Sequence, residues 1–185
     1  MTTKDYLLSI ITQFRLTLDS HERQLECFDR YAIQVEGWLK GELVCLFDSE
    51  KLAKRLDEFG VEVKCNSGRK KVDLFLKLHS TAIWIELKHW QIGYQGEDRW
   101  KASDYFGSGP KGIGIYDDVE KLSKIPDGDK YILILATKNP EYDEPGNWEK
   151  GLDKFNHKFA PLHINSYLNP SDFPPPYFVS LLEVV

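Results

Sequence analysis

The 185 residues carry 24 Lys and Arg against 29 Asp and Glu, a formal net charge of -5, and are 42% hydrophobic, 29% charged and 13% aromatic. Such a chain has enough apolar material for a core of its own, which excludes a disordered chain, a collagen-like repeat and a coiled-coil rod. The acidic balance excludes a polycation that coats nucleic acid indiscriminately, so any nucleic-acid contact is confined to one face. Cys27, Cys45 and Cys65 form no CxxC pair, which gives neither a zinc site nor a disulfide framework, and they read as buried thiols of a reducing compartment. No apolar run approaches the ~20 residues a bilayer needs, and the N-terminus lacks a basic region followed by an apolar stretch. The expectation is a soluble, cytoplasmic protein without a membrane partner. It is read as one domain: an N-terminal helix over about 1–29, a core over about 30–140 and a C-terminal helix and strand over about 141–185.

From Lys4 to about Leu25, Leu7, Leu8, Ile11, Phe14, Leu18 and Leu25 recur at helical spacing behind Asp5. This N-terminal helix covers the core, and a homodimer contact is a second role it can carry. Arg30 to Phe59 reads as another helix, stopped by Gly60. The period then alternates: Val61–Cys65, Val72–Leu78 and Ala82–Lys88 read as strands, the last two joined at His79-Ser80. Gly93 to Gly114 is polar and Gly-rich, a long loop or short irregular helices of the kind that often carries function. Asp117 to Ile125 reads as a short helix with acids first and lysines last, Tyr131–Ala136 as an apolar strand, Trp148–Phe159 as a helix, and Tyr177–Val185 as a final strand after Pro174-Pro175-Pro176.

The chemistry concentrates in Lys71–Lys88. A two-residue turn at His79-Ser80 pairs Leu78 with Thr81 and sets Asp73 opposite Glu86. One face then collects Val72, Leu74 and Leu76 with Ile83, Ile85 and Leu87, and the other Asp73, Phe75 and Lys77 with Ala82, Trp84, Glu86 and Lys88. Opposed carboxylates repel unless a cation lies between them, which suits a hard metal such as Mg²⁺. Lys88, two residues after Glu86, is placed to orient a metal-bound water, to contact a phosphate or, with a lowered pKa, to act as a base. The alternative is an ion-pair cluster on the wet face of a sheet.

Val72-Asp73 and Ile85-Glu86-Leu87-Lys88, with the order helix, three strands, helix, strand from about Val35 to Thr137, resemble the PD-(D/E)xK superfamily of restriction-endonuclease-like nucleases. No proline precedes Asp73, a departure from the family's motif. The resemblance implies an α/β fold with an αβββαβ core, a mixed central sheet flanked by helices, here with an extra N-terminal helix. It implies that Asp73, Glu86 and the backbone carbonyl of Leu87 ligate Mg²⁺, for which Mn²⁺ can substitute, and that Lys88 assists the attacking water. Many members add a glutamate from the first core helix; Glu42 is the first candidate and Glu36 the second. The implied activity is that of a Mg²⁺-dependent endonuclease acting on DNA, of the restriction or repair kind.

Arg69, Lys70 and Lys71 precede Asp73, and Arg99, Lys101 and Lys111 lie in or near the Gly-rich segment with Trp100, Tyr105 and Phe106. Interleaved bases and aromatics suit a phosphate backbone with stacked bases, although a run of bases is also an ordinary solvated feature. His89, Trp90, Gln91 and Tyr94 follow the triplet, with packing roles as the alternative. The competing functions are a non-catalytic nucleic-acid-binding module on the same fold and a protein-interaction module.

Overall fold

A computed structural model describes residues 2–31, 33–65, 70–92, 101–109, 114–138, 147–168 and 177–185. Its elements are α1 (Thr3–Ser20), α2 (Glu22–Arg30), α3 (Glu36–Leu52), β1 (Glu58–Lys64), β2 (Lys71–Leu78), β3 (Thr81–Ile92), α4 (Ala102–Gly107), α5 (Tyr116–Ser123), β4 (Asp129–Lys138), α6 (Asn147–Lys158), β5 (Ile164–Ser166) and β6 (Tyr177–Val184). The six strands form one mixed sheet in the order β1-β2-β3-β4-β6-β5, in which only β3 and β4 run parallel. A parallel neighbour needs a crossover, and α4 and α5 lie within it.

The N-terminal helix starts where Thr2 and Asp5 form a capping box, each side chain accepting from the other's backbone N–H. Tyr6, Leu7, Ile10, Ile11, Phe14 and Leu18 then turn inward, so the apolar stripe of α1 is spent on its own core. Two expected helices are three: the chain breaks at His21 and again over 33–35, and α2 is the short amphipathic piece between α1 and the core helix α3. Gly60 is no helix stop but lies inside β1, which begins at Glu58. The three-residue β5 is not one of the expected strands, and among the described residues it pairs with β6 at the sheet edge.

Helices cover both faces of the sheet. α1, α2 and α3 pack Leu18, Leu25, Leu39, Leu43 and Phe47 onto Leu74, Leu76, Ile83, Ile85, Leu87, Leu133 and Leu181. On the other face α4, α5 and α6 pack Phe106, Val119, Leu122, Trp148 and Phe155 onto Trp90, Ile132, Ile134 and Phe178. β4 contributes to both layers and reads as an unbroken apolar run, as a strand covered on both faces must.

Leu78 pairs with Thr81 and Leu74 with Ile85, the register that the hairpin turn predicts. His79 and Ser80 sit at φ 46° and 72°, both left-handed, as a turn matching the twist of the flanking strands requires. Neither residue is favoured there, because a Cβ in that region crowds the backbone at a cost of about 1 kcal/mol. Ser80→Gly is therefore expected to raise the melting temperature by about 2–4 °C, measured by calorimetry. An unchanged or lower temperature would show that the turn carries no such strain.

One expected face assignment fails. Leu74, Leu76 and Leu78 belong to the α1–α3 layer, but Val72 is buried in the opposite core, so strand alternation breaks around Asp73. Opposite it in β1, Glu62 is left-handed at φ 53°. The cysteines also depart from expectation: Cys27 and Cys45 are exposed and Cys65 is half-buried, since the helical positions of the first two face away from both cores.

Candidate metal and catalytic centre

The centre forms where β2 parts from β3. The ladder between them ends at the Leu74–Ile85 pair, and beyond it the Leu87 N–H donates to Asp73 Oδ2 at 3.0 Å. A side-chain carboxylate thus replaces a backbone acceptor and brings Asp73 against the Glu86-Leu87 segment. From the other side, Lys40 of α3 donates to Asp73 Oδ1 at 2.6 Å and also to Glu62. Burial raises the Asp73 pKa, but the bonds from Lys40 and the Leu87 N–H outweigh it and hold the carboxyl below its ordinary value.

Glu86 points to the α5 side and is only 3% exposed. Burial pushes its carboxyl up to about 8; Asp73 and Asp118 add to the rise and the Lys121 ammonium opposes it. Lys121 of α5 stands 2.5 Å from Glu86 Oε1, as a charge contact rather than an aligned hydrogen bond. It donates instead to the Lys71 carbonyl at 3.0 Å and lies 3.7 Å from Asp118 Oδ1. The other oxygen of Asp118 pairs with Lys88 at 3.1 Å. Burial lowers the Lys88 pKa, but Asp118, Glu36 and Glu86 overcome it and leave the pKa raised. Lys88 is held as a cation by Asp118 and lacks the lowered pKa that a role as a base requires.

The helix acid is corrected by geometry. Glu36 and Lys40 are four residues apart on α3 and share a face. Glu36 carries a raised pKa, owing to burial first, with Lys88 and Lys40 opposing and Asp73 and Asp118 adding, so it lies within the field of the whole cluster. Glu42 follows Lys40 by two residues, about 200° further round the helix, and turns away from the side that reaches Asp73. Of the two candidate helix acids, Glu36 is the one that lies beside the cluster. Apolar neighbours at Leu43 and Leu46 anchor the helix equally well for either acid and could not choose between them.

Asp118, Lys121 and Lys40 join the cluster without belonging to any local sequence motif. Their signal is position: α5 lies in the crossover between parallel strands, and its inward Val119 and Leu122 flank the Asp118–Lys121 pair. Among the described residues the cluster holds five carboxyl groups, Glu36, Glu62, Asp73, Glu86 and Asp118, against three ammoniums, Lys40, Lys88 and Lys121. The excess of acids, with two carboxylates brought against one backbone segment, is hard-oxygen donor chemistry that fits Mg²⁺, an ion commonly held by one or two carboxylates with water and phosphate completing its shell. No three His, Cys, Asp or Glu side chains among the described residues close a metal site by themselves.

The neighbouring residues divide differently than expected. His89 is half-buried, its pKa pushed down to about 4 by desolvation, and its Nε2 lies 3.0 Å from Thr137 Oγ1, which makes it a packed neutral imidazole. Trp90 is stacked on Tyr105 at 4.7 Å and edge-on to Phe106 at 5.2 Å. Tyr105 and Phe106 are themselves buried, 5% and 0% exposed, so neither is available to stack on a base; they close the core over the end of β3. The Gln91 backbone is clamped by Tyr105, whose hydroxyl accepts from the Gln91 N–H and donates to its carbonyl. Lys70 and Lys71 are exposed and Lys101 is half-buried. Arg69, Arg99, Lys111, Tyr94, Trp100 and the three prolines before β6 lie outside the described residues.

No helix among the described residues is long and apolar enough to cross a membrane. Comparison with protein-family models, with curated proteins and with solved structures gives no match.

Proposed function

We propose that the chain is a Mg²⁺-dependent nuclease that hydrolyses phosphodiester bonds in DNA, built on a restriction-endonuclease-like core. The carrying observation is the approach of Asp73 to the Glu86-Leu87 segment at the parting of β2 and β3, with Lys88 two residues on and Glu36 in the same field. The path from α3 through the β1-β2-β3 meander to β4, parallel to β3, supports the αβββαβ arrangement. In this reading Asp73, Glu86 and the Leu87 carbonyl hold the cation, with Glu36 behind them. A divalent ion held there supplies an activated water and stabilises charge on the phosphate.

Lys88 keeps its proton and is positioned by Asp118 to meet the phosphate or the water. Lys88→Met is expected to lower cleavage by about 10²-fold with cation binding retained. Cleavage at the parental rate would remove Lys88 from the mechanism. The test of the activity is incubation of supercoiled plasmid, linear duplex, branched DNA and RNA with Mg²⁺ or Mn²⁺. Conversion of a DNA substrate that chelator abolishes supports the reading; inert DNA in both metals overturns it.

A specific observation favours a second reading, a non-catalytic nucleic-acid-binding or protein-interaction module. Both central carboxylates already face a lysine, Lys40 on Asp73 and Lys121 on Glu86, as in a purely structural charge network. That network would leave the melting temperature indifferent to divalent cations, whereas a metal centre makes it rise.

A further inference from the structure

Resting on the metal-centre reading, we propose that Lys121 is an internal counter-ion of Glu86 that yields its place to a divalent cation, and that Asp118 is the carboxylate onto which its ammonium then moves. The lodging of that ammonium carries the argument. Three oxygens meet it, Glu86 Oε1 at 2.5 Å, the Lys71 carbonyl at 3.0 Å and Asp118 Oδ1 at 3.7 Å. Hard divalent cations take the same donors.

The grip on Glu86 is incomplete. Glu86 Oε1 is buried yet receives no aligned hydrogen bond, so its lone pairs face a nearby charge without a directed donor. A cation needs no such alignment and satisfies that oxygen more fully. Lys40 differs, because it donates an aligned hydrogen bond to Asp73 Oδ1 and so acts as a fixed orienting group.

A destination for the displaced ammonium is already built. Asp118 engages Lys88 through Oδ2 and presents Oδ1 to Lys121 at a distance just short of a close pair. Torsion of a flexible four-carbon stem closes that gap without moving α5. Asp118 then carries one lysine on each oxygen, and Lys121 stays within the cluster as a positioning residue rather than being expelled to solvent. The site therefore keeps its charges paired whether or not a cation is bound, which avoids leaving Glu86 buried and bare.

The test is Mn²⁺ affinity by calorimetry, without DNA, for the parent, Lys121→Met, Lys121→Gln and Lys88→Met. Removing the competing ammonium is expected to tighten Mn²⁺ binding by about 10-fold or more in both Lys121 variants. Lys88→Met deletes an equal charge from the same cluster but frees no Glu86 oxygen, and is expected to tighten it by less than about 3-fold. Equal tightening in all three variants would mean that only the summed field acts and would overturn the exchange, leaving the metal centre intact. Unchanged affinity in the Lys121 variants would overturn it as well. Absence of Mn²⁺ binding in the parent and every variant would overturn both this inference and the reading it rests on. Should the Lys121 variants fail to fold, the side-chain ¹⁵N resonances of the parent decide. Addition of Mg²⁺ is expected to shift Lys121 Nζ more than Lys40 Nζ, and a Lys121 signal that does not move would overturn the exchange.

Discussion

Asp73→Asn is expected to abolish divalent-metal-dependent DNA cleavage, by at least about 10³-fold, and with it the stabilisation that Mg²⁺ or Mn²⁺ confers. Binding to the folded state alone at about a hundred times the dissociation constant adds about 2.7 kcal/mol, which in a domain of this size is about 5–10 °C in melting temperature. The variant should fold. Its amide oxygen can still accept the Leu87 N–H, and Lys40 keeps Glu62 as a partner, so the loss without metal is expected to stay within about 1 kcal/mol. Melting curves with and without millimolar cation, beside a plasmid assay, separate the two effects. A variant that melts like the parent, and gains as much from cation, would take Asp73 out of the metal site; a parent indifferent to cation would leave the charge network as the whole explanation.

That substitution also marks how far the sequence could be read. The pairing across His79-Ser80 follows from a turn length and a two-residue period, and both are local properties of the chain. Asp73, Glu86 and Lys88 were thus legible as neighbours before any tertiary contact was known. What replaced the ladder at Asp73 was not legible, because whether a carboxylate or a backbone carbonyl accepts the Leu87 N–H depends on how β1 and α3 press on β2. The swap of Glu42 for Glu36 has the same origin. A helix read as continuous from Arg30 to Phe59 has no fixed rotation about its axis, whereas a helix that begins at Glu36 and buries Leu39, Leu43 and Phe47 does.

α5 shows the complementary limit. Asp118 and Lys121 sit in a segment whose helical character was plain from acids before lysines, yet the partner of a crossover helix is set by the parallel pairing of β3 with β4. Nothing in the eight residues themselves announces that pairing. Aromatic residues misled for a related reason: Tyr105 and Phe106 stand among bases in the sequence, and only packing against Trp90 and Trp148 reveals them as core.

In the proposed nuclease, with those aromatics buried, electrostatics is the expected main source of affinity for DNA, and hence the steepest expected dependence. A protein of net charge -5 that binds a polyanion must gather its bases on one face. Lys70 and Lys71 are exposed immediately before Asp73, and Arg69 precedes them in the chain, so the proposed site makes these bases the first expected to meet a phosphate. Each phosphate neutralised releases counterions, and a duplex contact of six or more phosphates weakens by about 10³-fold or more between 50 and 200 mM salt. Replacing Arg69, Lys70 and Lys71 by alanine is expected to make the slope of log affinity against log salt shallower by about 1 unit for each of the three that meets a phosphate. The measurement is duplex binding by the parent and the triple variant across that salt range, with Ca²⁺ as the cation so that binding is read apart from cleavage. Affinity in the parent that ignores salt would end the nucleic-acid reading. A slope unchanged in the variant would move the contact to Lys101 and the segment around it, because the charge that grips the backbone would then lie beyond β2.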